Sequence, residues 1–232
     1  MPEPFNDFSF RLLPGCCLLC GRRSRRERDI CDHCERELPR IEYGCLRCAR
    51  PLLSTHRAVC GDCLTNPPVQ DRGRAAFRYA WPLDTLIRRF KFNGDHAAGR
   101  VLGELFAETL HAETPPPACL LPVPLHSRRL RERGFNQSEF LAKAVAAKLG
   151  IGLCNDLVER VRATDTQSGM DAIARRRNVR NAFALRGGRK PLPHVAILDD
   201  VVTTGSTTAE IARLLRRNGV ERIEVWALAR AV

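Results

Sequence analysis

The apolar positions of residues 195–218 change their spacing halfway along the segment. Residues 195–198 form an unbroken apolar run with two β-branched members, which is typical of a buried strand in a parallel sheet. Ile211, Leu214 and Leu215 then share one face at helical spacing. A strand, a loop of small residues and a helix are therefore predicted in that order.

Similar patterns recur from residue 75 onward. Strands are predicted at 75–80, 119–124 and 221–228, and helices at 84–92, 97–111 and 137–149. Asn136 precedes the last of these helices and can cap it. Strands that alternate with helices predict an α/β fold with a mainly parallel sheet and right-handed crossovers.

The first 66 residues follow a pattern set by cysteines. Eight of the eleven cysteines form four Cys-x-x-Cys pairs, separated by ten or eleven residues. Two such pairs supply four thiolates to one tetrahedral zinc ion, so the spacing predicts two closed, structural zinc sites. The predicted ligands are Cys17, Cys20, Cys31, Cys34, Cys45, Cys48, Cys60 and Cys63.

We pair the cysteines in sequence, as two successive ribbons, although the spacing also allows a cross-braced arrangement. Sequential pairing joins the first pair to the second and the third to the fourth, whereas a cross-braced arrangement joins the first to the third. Four regularly spaced pairs disfavour redox chemistry at a single pair. Cys16 is a spare that could substitute for Cys17, while Cys119 and Cys154 lie in apolar surroundings and are expected to be inert core residues.

The chain has a net charge of +12, from 38 basic and 26 acidic residues, and only four of the basic residues are lysines. Arginine favours bidentate phosphate recognition, so a polyanionic partner is expected, although genomic base composition also enriches arginine. Between the first two cysteine pairs, the candidate nucleic-acid contacts are Arg22, Arg23, Arg25 and Arg26. A solvated loop is the competing interpretation of this run.

Compartment and domain boundaries also follow from composition. No apolar run approaches the roughly 18 residues that a transmembrane helix needs, and residues 1–7 lack the features of a secretory signal. We expect a cytoplasmic protein without membrane insertion, in which metal binding is favoured over disulfides. The Thr-Asn-Pro-Pro segment at 65–68 is a candidate linker, so a double zinc-ribbon domain is predicted at 1–66 and a second domain at 67–232.

Candidate ligand-binding groups follow the strand at 195–198. Asp199 and Asp200 stand where this strand is expected to end, and a Thr-Thr-Gly-Ser-Thr loop at 203–207 leads into the helix. Its backbone N–H groups and hydroxyls can hold a phosphate, and no Gly-Lys-[Ser/Thr] follows, so it is not a Walker loop. Adjacent carboxylates beside a phosphate suit a sugar phosphate. An ordinary strand–loop–helix with capping acids is the alternative.

This stretch resembles the signature of type I phosphoribosyltransferases, which bind 5-phosphoribosyl-1-pyrophosphate (PRPP). The resemblance implies that the acidic pair holds the ribose hydroxyls and that the loop holds the 5-phosphate. The residues it implies for PRPP binding are Asp199, Asp200, Val201, Thr203, Thr204, Gly205, Ser206 and Thr207.

Zinc ribbons ahead of such a motif resemble the ComF family, which is associated with DNA uptake in natural transformation and with use of external DNA. Further segments that match the family pattern are 86–95, 121–125, 133–139, 167–170 and 175–183. Met170 and Ala174 depart from it, away from the phosphate loop. The implied fold is an N-terminal double zinc ribbon followed by a mainly parallel-sheet, type I phosphoribosyltransferase-like domain.

The resemblance also places a turn at 122–126 where these transferases bind pyrophosphate, which normally arrives with Mg²⁺. Candidates for pyrophosphate or substrate contacts are Lys91, Pro124, His126, Arg128, Arg133 and Arg175. Lys91 could equally be a surface lysine. For Arg175, a phosphate contact and a structural ion pair are equally favoured interpretations.

Two functions of different classes are compatible with these residues. One is a DNA-uptake protein that binds PRPP and whose ribbons contact single-stranded DNA or proteins of the uptake machinery. The other is an active enzyme that transfers phosphoribose to a base or amine, and a weaker third is a zinc-ribbon regulator that senses PRPP. No base-recognition signature is found, so the acceptor is not identified, and fold likeness does not decide activity.

Overall fold

The computed structural model describes residues 15–53, 58–110, 115–163, 177–187 and 192–231. The helices are α1 (Asp32–Arg36), α2 (Gly61–Thr65), α3 (Leu83–Asn93), α4 (His96–Thr109), α5 (Ser127–Arg133), α6 (Gln137–Leu149) and α7 (Ser206–Arg217). The strands are β1 (Arg72–Arg78), β2 (Cys119–Pro122), β3 (Val158–Arg160), β4 (Phe183–Leu185), β5 (His194–Val202) and β6 (Arg222–Arg230).

The main sheet has four strands in the order β1-β6-β5-β2, and every neighbouring pair is parallel. The α/β fold with a parallel sheet, predicted from the sequence, is therefore confirmed. Strand β5 lies in the interior of the sheet, between β6 and β2. A central parallel strand is buried on both faces, which explains the unbroken apolar run at 195–198.

Successive residues of β5 point to opposite faces of the sheet and enter two separate cores. Ala196 and Leu198 pack in the core formed with helices α3, α4 and α6. Val195 and Ile197 pack in the core that contains Ile211 and other apolar residues of α7. The carboxyl end of β5 is thereby fixed between two helical layers.

The element boundaries differ from the expected ones at the acidic pair. Strand β5 continues to Val202, so Asp199 and Asp200 lie within its last residues instead of following it. Helix α7 begins at Ser206, before the apolar periodicity that starts at Ile211. Small hydroxyl residues carry no apolar signal, although they enter a helix N-terminus readily.

Residues 39–41, which connect the two ribbons, lie along the outer edge of the main sheet. The backbone N–H of Ile41 donates to the carbonyl of Ala76 at 2.9 Å, and that of Arg78 donates to Pro39 at 2.8 Å. Ile30 is fully buried in the same core as β1. The connecting segment thus protects a sheet edge, and the first ribbon shares the core of the following unit.

The second ribbon approaches the same strand at a position that requires glycine. A Cβ on Gly73 would lie 2.8 Å from the carbonyl oxygen of Arg47, and the Gly73 N–H donates to Leu46 at 2.8 Å. The domain boundary at residue 66 stays a prediction. No helix among the described residues is long and apolar enough to cross a membrane.

A disulfide joins Cys119 and Cys154, for which the sequence predicts two separate core residues. Both are buried, as expected, but the chain after α6 runs alongside β2, where the Cys154 N–H donates to the Leu120 carbonyl at 3.0 Å. The two Cα atoms are therefore 6.0 Å apart, within the range that a disulfide spans. Neither cysteine belongs to a metal cluster, as expected, whereas the disulfide between them was not predicted.

Candidate functional site

Both groups of four ribbon cysteines converge as metal centres. Cys17, Cys20, Cys31 and Cys34 form one group, and Cys45, Cys48, Cys60 and Cys63 form the other. In each group the four sulfur atoms lie within 4.8 Å of one another. The pairing is therefore sequential, and the cross-braced alternative is excluded. Cys16 is exposed and belongs to neither group.

The electrostatics of these clusters suit a zinc ion. Burial opposes ionisation of Cys17 and Cys45, but backbone N–H donors of the ribbons outweigh it, so the pKa falls to about 6 for Cys17 and about 7 for Cys45. Burial and hydrogen bonds from neighbouring thiols raise the pKa of Cys34 and Cys63. Four adjacent thiolates thus need a cation, and a closed set of four cysteine donors is the structural zinc arrangement.

A cavity of about 190 Å³ opens at the carboxyl end of β5. Its wall combines the acidic pair, the Thr-rich loop, the turn after β2 and three cationic side chains. The lining residues include Lys91, Val123, Leu125, Arg129, Arg160, Asp199, Asp200, Val201, Thr203, Gly205, Ser206 and Thr207. This is the position at which open α/β sheets bind ligands.

The acidic pair is held by fixed donors. Lys91 Nζ lies 2.8 Å from Asp200 Oδ2, Ser138 Oγ donates to Asp199 Oδ1 at 3.1 Å, and the Asp200 N–H donates to the same oxygen at 3.0 Å. The Lys91 side chain is only 19% exposed. The interpretation of Lys91 as a plain surface lysine is therefore excluded.

The surroundings of Asp199 shift its protonation. Burial and the negative charge of Asp200 raise the pKa of Asp199 to about 7, against the opposing effects of Lys91, the Asp200 N–H and Ser138. Near neutral pH the pair therefore carries less than its full negative charge. Lys91 further offsets the charge of Asp200.

The loop is preorganised for an anion. Gly205 has φ +73°, a conformation that favours glycine, immediately before α7 begins. The hydroxyls of Thr204 and Ser206 are 2.7 Å apart, and Thr208 Oγ1 donates to the Gly205 carbonyl at 3.0 Å. The loop thus presents backbone N–H groups and hydroxyls at a helix N-terminus, which is a favourable environment for phosphate.

Four of the other predicted pyrophosphate contacts, Pro124, His126, Arg128 and Arg133, are not among the residues that line this cavity. Arg128 is 76% exposed and pairs with Glu132 at 3.0 Å, while His126 Nδ1 accepts from the Arg128 N–H and caps α5. Pro124 lies between the lining residues Val123 and Leu125. Their roles as contacts stay predictions, and Arg175 lies outside the described residues.

Arg133 is held close to the cavity. Its Nη1 donates to the Gln137 side chain at 2.9 Å, and its guanidinium lies over the Phe92 ring. Burial and Arg129 lower the pKa of Arg133, whereas Asp200 raises it. An arginine with this balance of neighbours is suited to an incoming anion.

Arg129, Arg160 and Ser138 were not identified from the sequence. Arg129 lies beside the predicted Arg128, but it is Arg129 that lines the cavity. Arg160 reaches the cavity from β3, far along the chain from the motif, and burial and Arg129 lower its pKa while Asp199 raises it. Ser138 lies within the matched segment 133–139, which was the one available signal.

The arginine run of the first ribbon is divided by the fold. Arg22, Arg23 and Arg25 are exposed, and none forms an ion pair within the described part of the chain. Arg26 instead pairs with Asp32 at 3.0 Å and with Glu35 at 2.6 Å. Three of the four candidates are thus available to a polyanion, and the fourth is partly neutralised.

Arg230 connects the second zinc centre to the phosphate loop. Its Nε donates to the Cys48 carbonyl at 3.1 Å and its Nη1 to the Val202 carbonyl at 2.9 Å and to the carbonyl of Thr203. Cys48 is a predicted zinc ligand, and Thr203 begins the loop. One buried side chain therefore joins the two sites.

Two four-cysteine centres ahead of a parallel sheet that ends in an acidic pair and a Thr-rich loop define a double-zinc-ribbon protein with a phosphoribosyltransferase-like domain. The family model "Double zinc ribbon domain" matches residues 9–64. The chain is 37% identical to competence protein F of Haemophilus influenzae, over 97% of this chain and 99% of the relative. It belongs to that family, the ComF family.

Two further relatives support this membership. DNA utilization protein YhgH of Escherichia coli (strain K12) is 39% identical, over 95% of this chain and 99% of the relative. Competence protein ComFC of Streptococcus pneumoniae is 27% identical, over 92% of this chain and 99% of the relative. The similarity thus extends through both the ribbons and the parallel-sheet unit.

Proposed function

We propose that the protein binds PRPP with Mg²⁺ in the cavity at the end of β5 and acts in DNA uptake or in the use of external DNA. The observation that carries the ligand assignment is the Lys91–Asp200 ion pair beside Asp199, in the same cavity as the Thr-rich loop. Carboxylates that accept from vicinal hydroxyls and a loop that donates to a phosphate match the two ends of a ribose 5-phosphate.

The cationic wall of the cavity supports the same ligand. Arg129 and Arg160 line it together with the acidic pair, and the charged neighbours of Arg133 are Arg129, Asp200 and Glu132. A pyrophosphate group with Mg²⁺ would offset these charges. PRPP combines the three chemical features that this cavity can recognise: a phosphate, vicinal hydroxyls and a pyrophosphate.

The DNA role rests on the names of the relatives and on charge. The relatives are described as competence and DNA utilization proteins. Arg22, Arg23 and Arg25 are exposed on the first ribbon, where phosphates of single-stranded DNA or acidic groups of an uptake protein could contact them. We place the protein in the cytoplasm for this role.

Calorimetric titration with PRPP and Mg²⁺ tests the ligand assignment. Asp199→Ala combined with Asp200→Ala is expected to abolish measurable binding, because each carboxylate accepts hydrogen bonds worth roughly 1.5–3 kcal/mol. Asp32→Ala combined with Glu37→Ala removes two exposed acids from the first ribbon and is expected to leave affinity unchanged. Equal affinities in the two double variants would refute the assignment.

A second candidate function is catalytic transfer of phosphoribose to a base or amine. Arg129 and Arg160 favour it, since cations on the cavity wall would stabilise a departing pyrophosphate. Measuring pyrophosphate release across a panel of bases and amines separates the two candidates. PRPP binding without turnover supports the DNA-uptake role alone, and turnover with any acceptor establishes the enzyme.

The ribbon arginines are tested through the salt dependence of binding to labelled oligothymidylate. Replacing Arg22, Arg23, Arg25 and Arg26 with alanine is expected to reduce the salt slope by about 0.7 for each phosphate that is no longer neutralised. PRPP affinity should not change. An unchanged slope would assign these arginines to solvent or to a protein partner.

A further inference from the structure

A second and larger cavity lies on the other side of the phosphate loop. Its volume is about 570 Å³, within the range of small-molecule sites. One wall is formed by the second ribbon and the linker after it, and the facing wall by β1, β6 and the start of α7. We call this space the ribbon cleft. Of the residues predicted from the sequence, it contains only members of the Thr-rich loop and two zinc ligands.

The charged side chains of the ribbon cleft are mostly cationic. Four arginines, Arg50, Arg74, Arg213 and Arg230, line it, and Asp62 is the one carboxylate among the described lining residues. Arg50 pairs with Asp62, and Arg213 pairs with Glu210 at 2.7 Å. A zinc ion held by four thiolates is itself a net anion and adds negative charge at the ribbon end, next to Arg50 and Arg230.

Where the ribbon cleft meets β1 and β6, arginines outnumber carboxylates among the residues that the structure describes. Arg74 lies 3.8 Å from Glu224, but His194 and Arg222 each approach the same carboxylate at 3.0 Å. Burial and the neighbouring Arg72 lower the pKa of Arg74. Among the described residues, Arg72, Arg74 and Arg222 therefore lie around one buried carboxylate, and this local excess of arginine favours an incoming anion.

The remaining lining residues indicate which part of a ligand is recognised. They are Thr, Ser, Gly, Ala, Val, Pro, Asn and Gln residues and two zinc ligands, with no aromatic ring among the described residues of the wall. Bases are commonly held by aromatic stacking, whereas phosphates need cations and N–H or O–H donors. The ribbon cleft offers the second set of groups.

We propose that the ribbon cleft is a second phosphate-binding site, separate from the PRPP cavity. Its ligand is a nucleotide phosphate, carried by a single-stranded nucleic acid or by a free nucleotide. The proposal rests on the function proposed above only for the choice of a DNA probe. The cleft itself is defined by residues that the PRPP cavity does not use, apart from the loop that forms a wall of both.

Binding of fluorescein-labelled oligothymidylate, followed by anisotropy at several salt concentrations, tests the proposal. Arg50→Ala with Arg213→Ala is expected to weaken binding by about tenfold and to lower the salt slope by about 1.4, since each phosphate contact of a single strand contributes about 0.7. These side chains are 42% and 45% exposed, so the core is not disturbed. Zinc content and melting temperature verify the fold.

The matched control is Arg88→Ala with Arg186→Ala. Both arginines are more than half exposed, each pairs with one carboxylate, and neither lines the ribbon cleft. The control is expected to bind like the wild type. Asp62→Asn, which removes the cleft carboxylate, is expected to tighten binding. Three results would each overturn the proposal. They are equal losses of affinity in the two arginine double variants, no binding by the wild type at low salt, and no gain of affinity in Asp62→Asn.

Competition with thymidine monophosphate distinguishes the two sources of phosphate. If the mononucleotide displaces the oligonucleotide, the ligand is a free nucleotide. If the oligonucleotide stays bound, the ligand is the strand. Either result supports the site when the Arg50/Arg213 substitutions also weaken oligonucleotide binding. PRPP titration of the same samples keeps the proposals apart. If PRPP does not bind, the effect of the Arg50/Arg213 substitutions on oligonucleotide binding is still a valid test of the cleft. If that effect is absent, the measured PRPP affinity is unaffected.

Discussion

At the residue scale, the enclosed acidic pair connects stability to pH. Burial and the charge of Asp200 raise the pKa of Asp199 from an ordinary value near 4 to about 7. The folded state therefore holds this proton more tightly than the unfolded state does. The associated stability is fully present below about pH 4 and is lost as the pH rises through about 7.

We expect Asp199→Asn to remove this pH dependence. At pH 8 the variant should be more stable than the wild type, because an uncharged amide replaces a carboxylate that burial and Asp200 disfavour. Asp199 is only partly buried, so solvent screens its charge, and the gain is on the order of 1 kcal/mol, or about 2–4 °C in melting temperature. At pH 4 the two proteins should melt together. Thermal unfolding at both pH values without ligand measures this, and a constant difference would contradict it.

The residues that sequence reasoning missed are those whose position depends on long-range folding. The acidic pair and loop are contiguous, so their grouping could be predicted. Arg160 comes from a short strand far from that motif, and its approach to Asp199 depends on how the β3–β4 hairpin packs. Arg128 and Arg129 are adjacent, and only the orientation of α5 decides which of them faces the cavity.

At the element scale, one asparagine serves both a helix and the cavity wall. Asn136 Oδ1 accepts from the Ser138 N–H and caps α6, as predicted, while its Nδ2 donates to the Val123 carbonyl at 3.0 Å. Val123 lines the cavity at the carboxyl end of β5. The cap therefore also fixes the turn after β2.

Asn136→Ala is expected to lower the free energy of unfolding by about 1 kcal/mol through the missing cap, and by more because the buried Val123 carbonyl loses its donor. Asn136→Ser retains a capping oxygen but is too short to replace the second bond, so its loss should be smaller. Denaturant midpoints of the two variants measure the difference. Equal stability of alanine and serine variants would show that the cap contributes nothing.

Element boundaries could be predicted only where apolar spacing marks them. The helix at 137–149 matches the expected bounds because a cap and a glycine flank a periodic segment. The start of α7 does not, since its first residues are Ser and Thr. The disulfide was missed for a similar reason, because the adjacency of β2 and the chain after α6 has no local signature.

At the scale of the whole molecule, the two zinc centres and the sheet form one packed unit. The cysteine spacing was sufficient to predict both centres, because each ligand set is local. It could not show that the first ribbon shares its core with β1 or that the second adjoins the phosphate loop. Those contacts join segments that are distant in the chain.

Elemental analysis of the reduced protein is expected to give about two zinc ions per chain, since eight thiolates form two four-cysteine sites. Cys48→Ser should reduce this to about one. Cys119→Ser and Cys154→Ser should leave it unchanged, because that pair lies outside both clusters. A single zinc in the wild type would contradict the two-centre arrangement.

The bonds of Arg230 to Cys48 and to Val202 and Thr203 have a thermodynamic consequence. One guanidinium contacts both a zinc-binding cysteine and the Thr-rich loop. A molecule bound at the loop and the zinc ion are then linked by a coupling free energy, and this coupling is reciprocal. PRPP should then slow the loss of one zinc ion to a chelator and leave the other unaffected, so the first ribbon is an internal reference. In Arg230→Met, both zinc ions should be lost at rates that PRPP does not change.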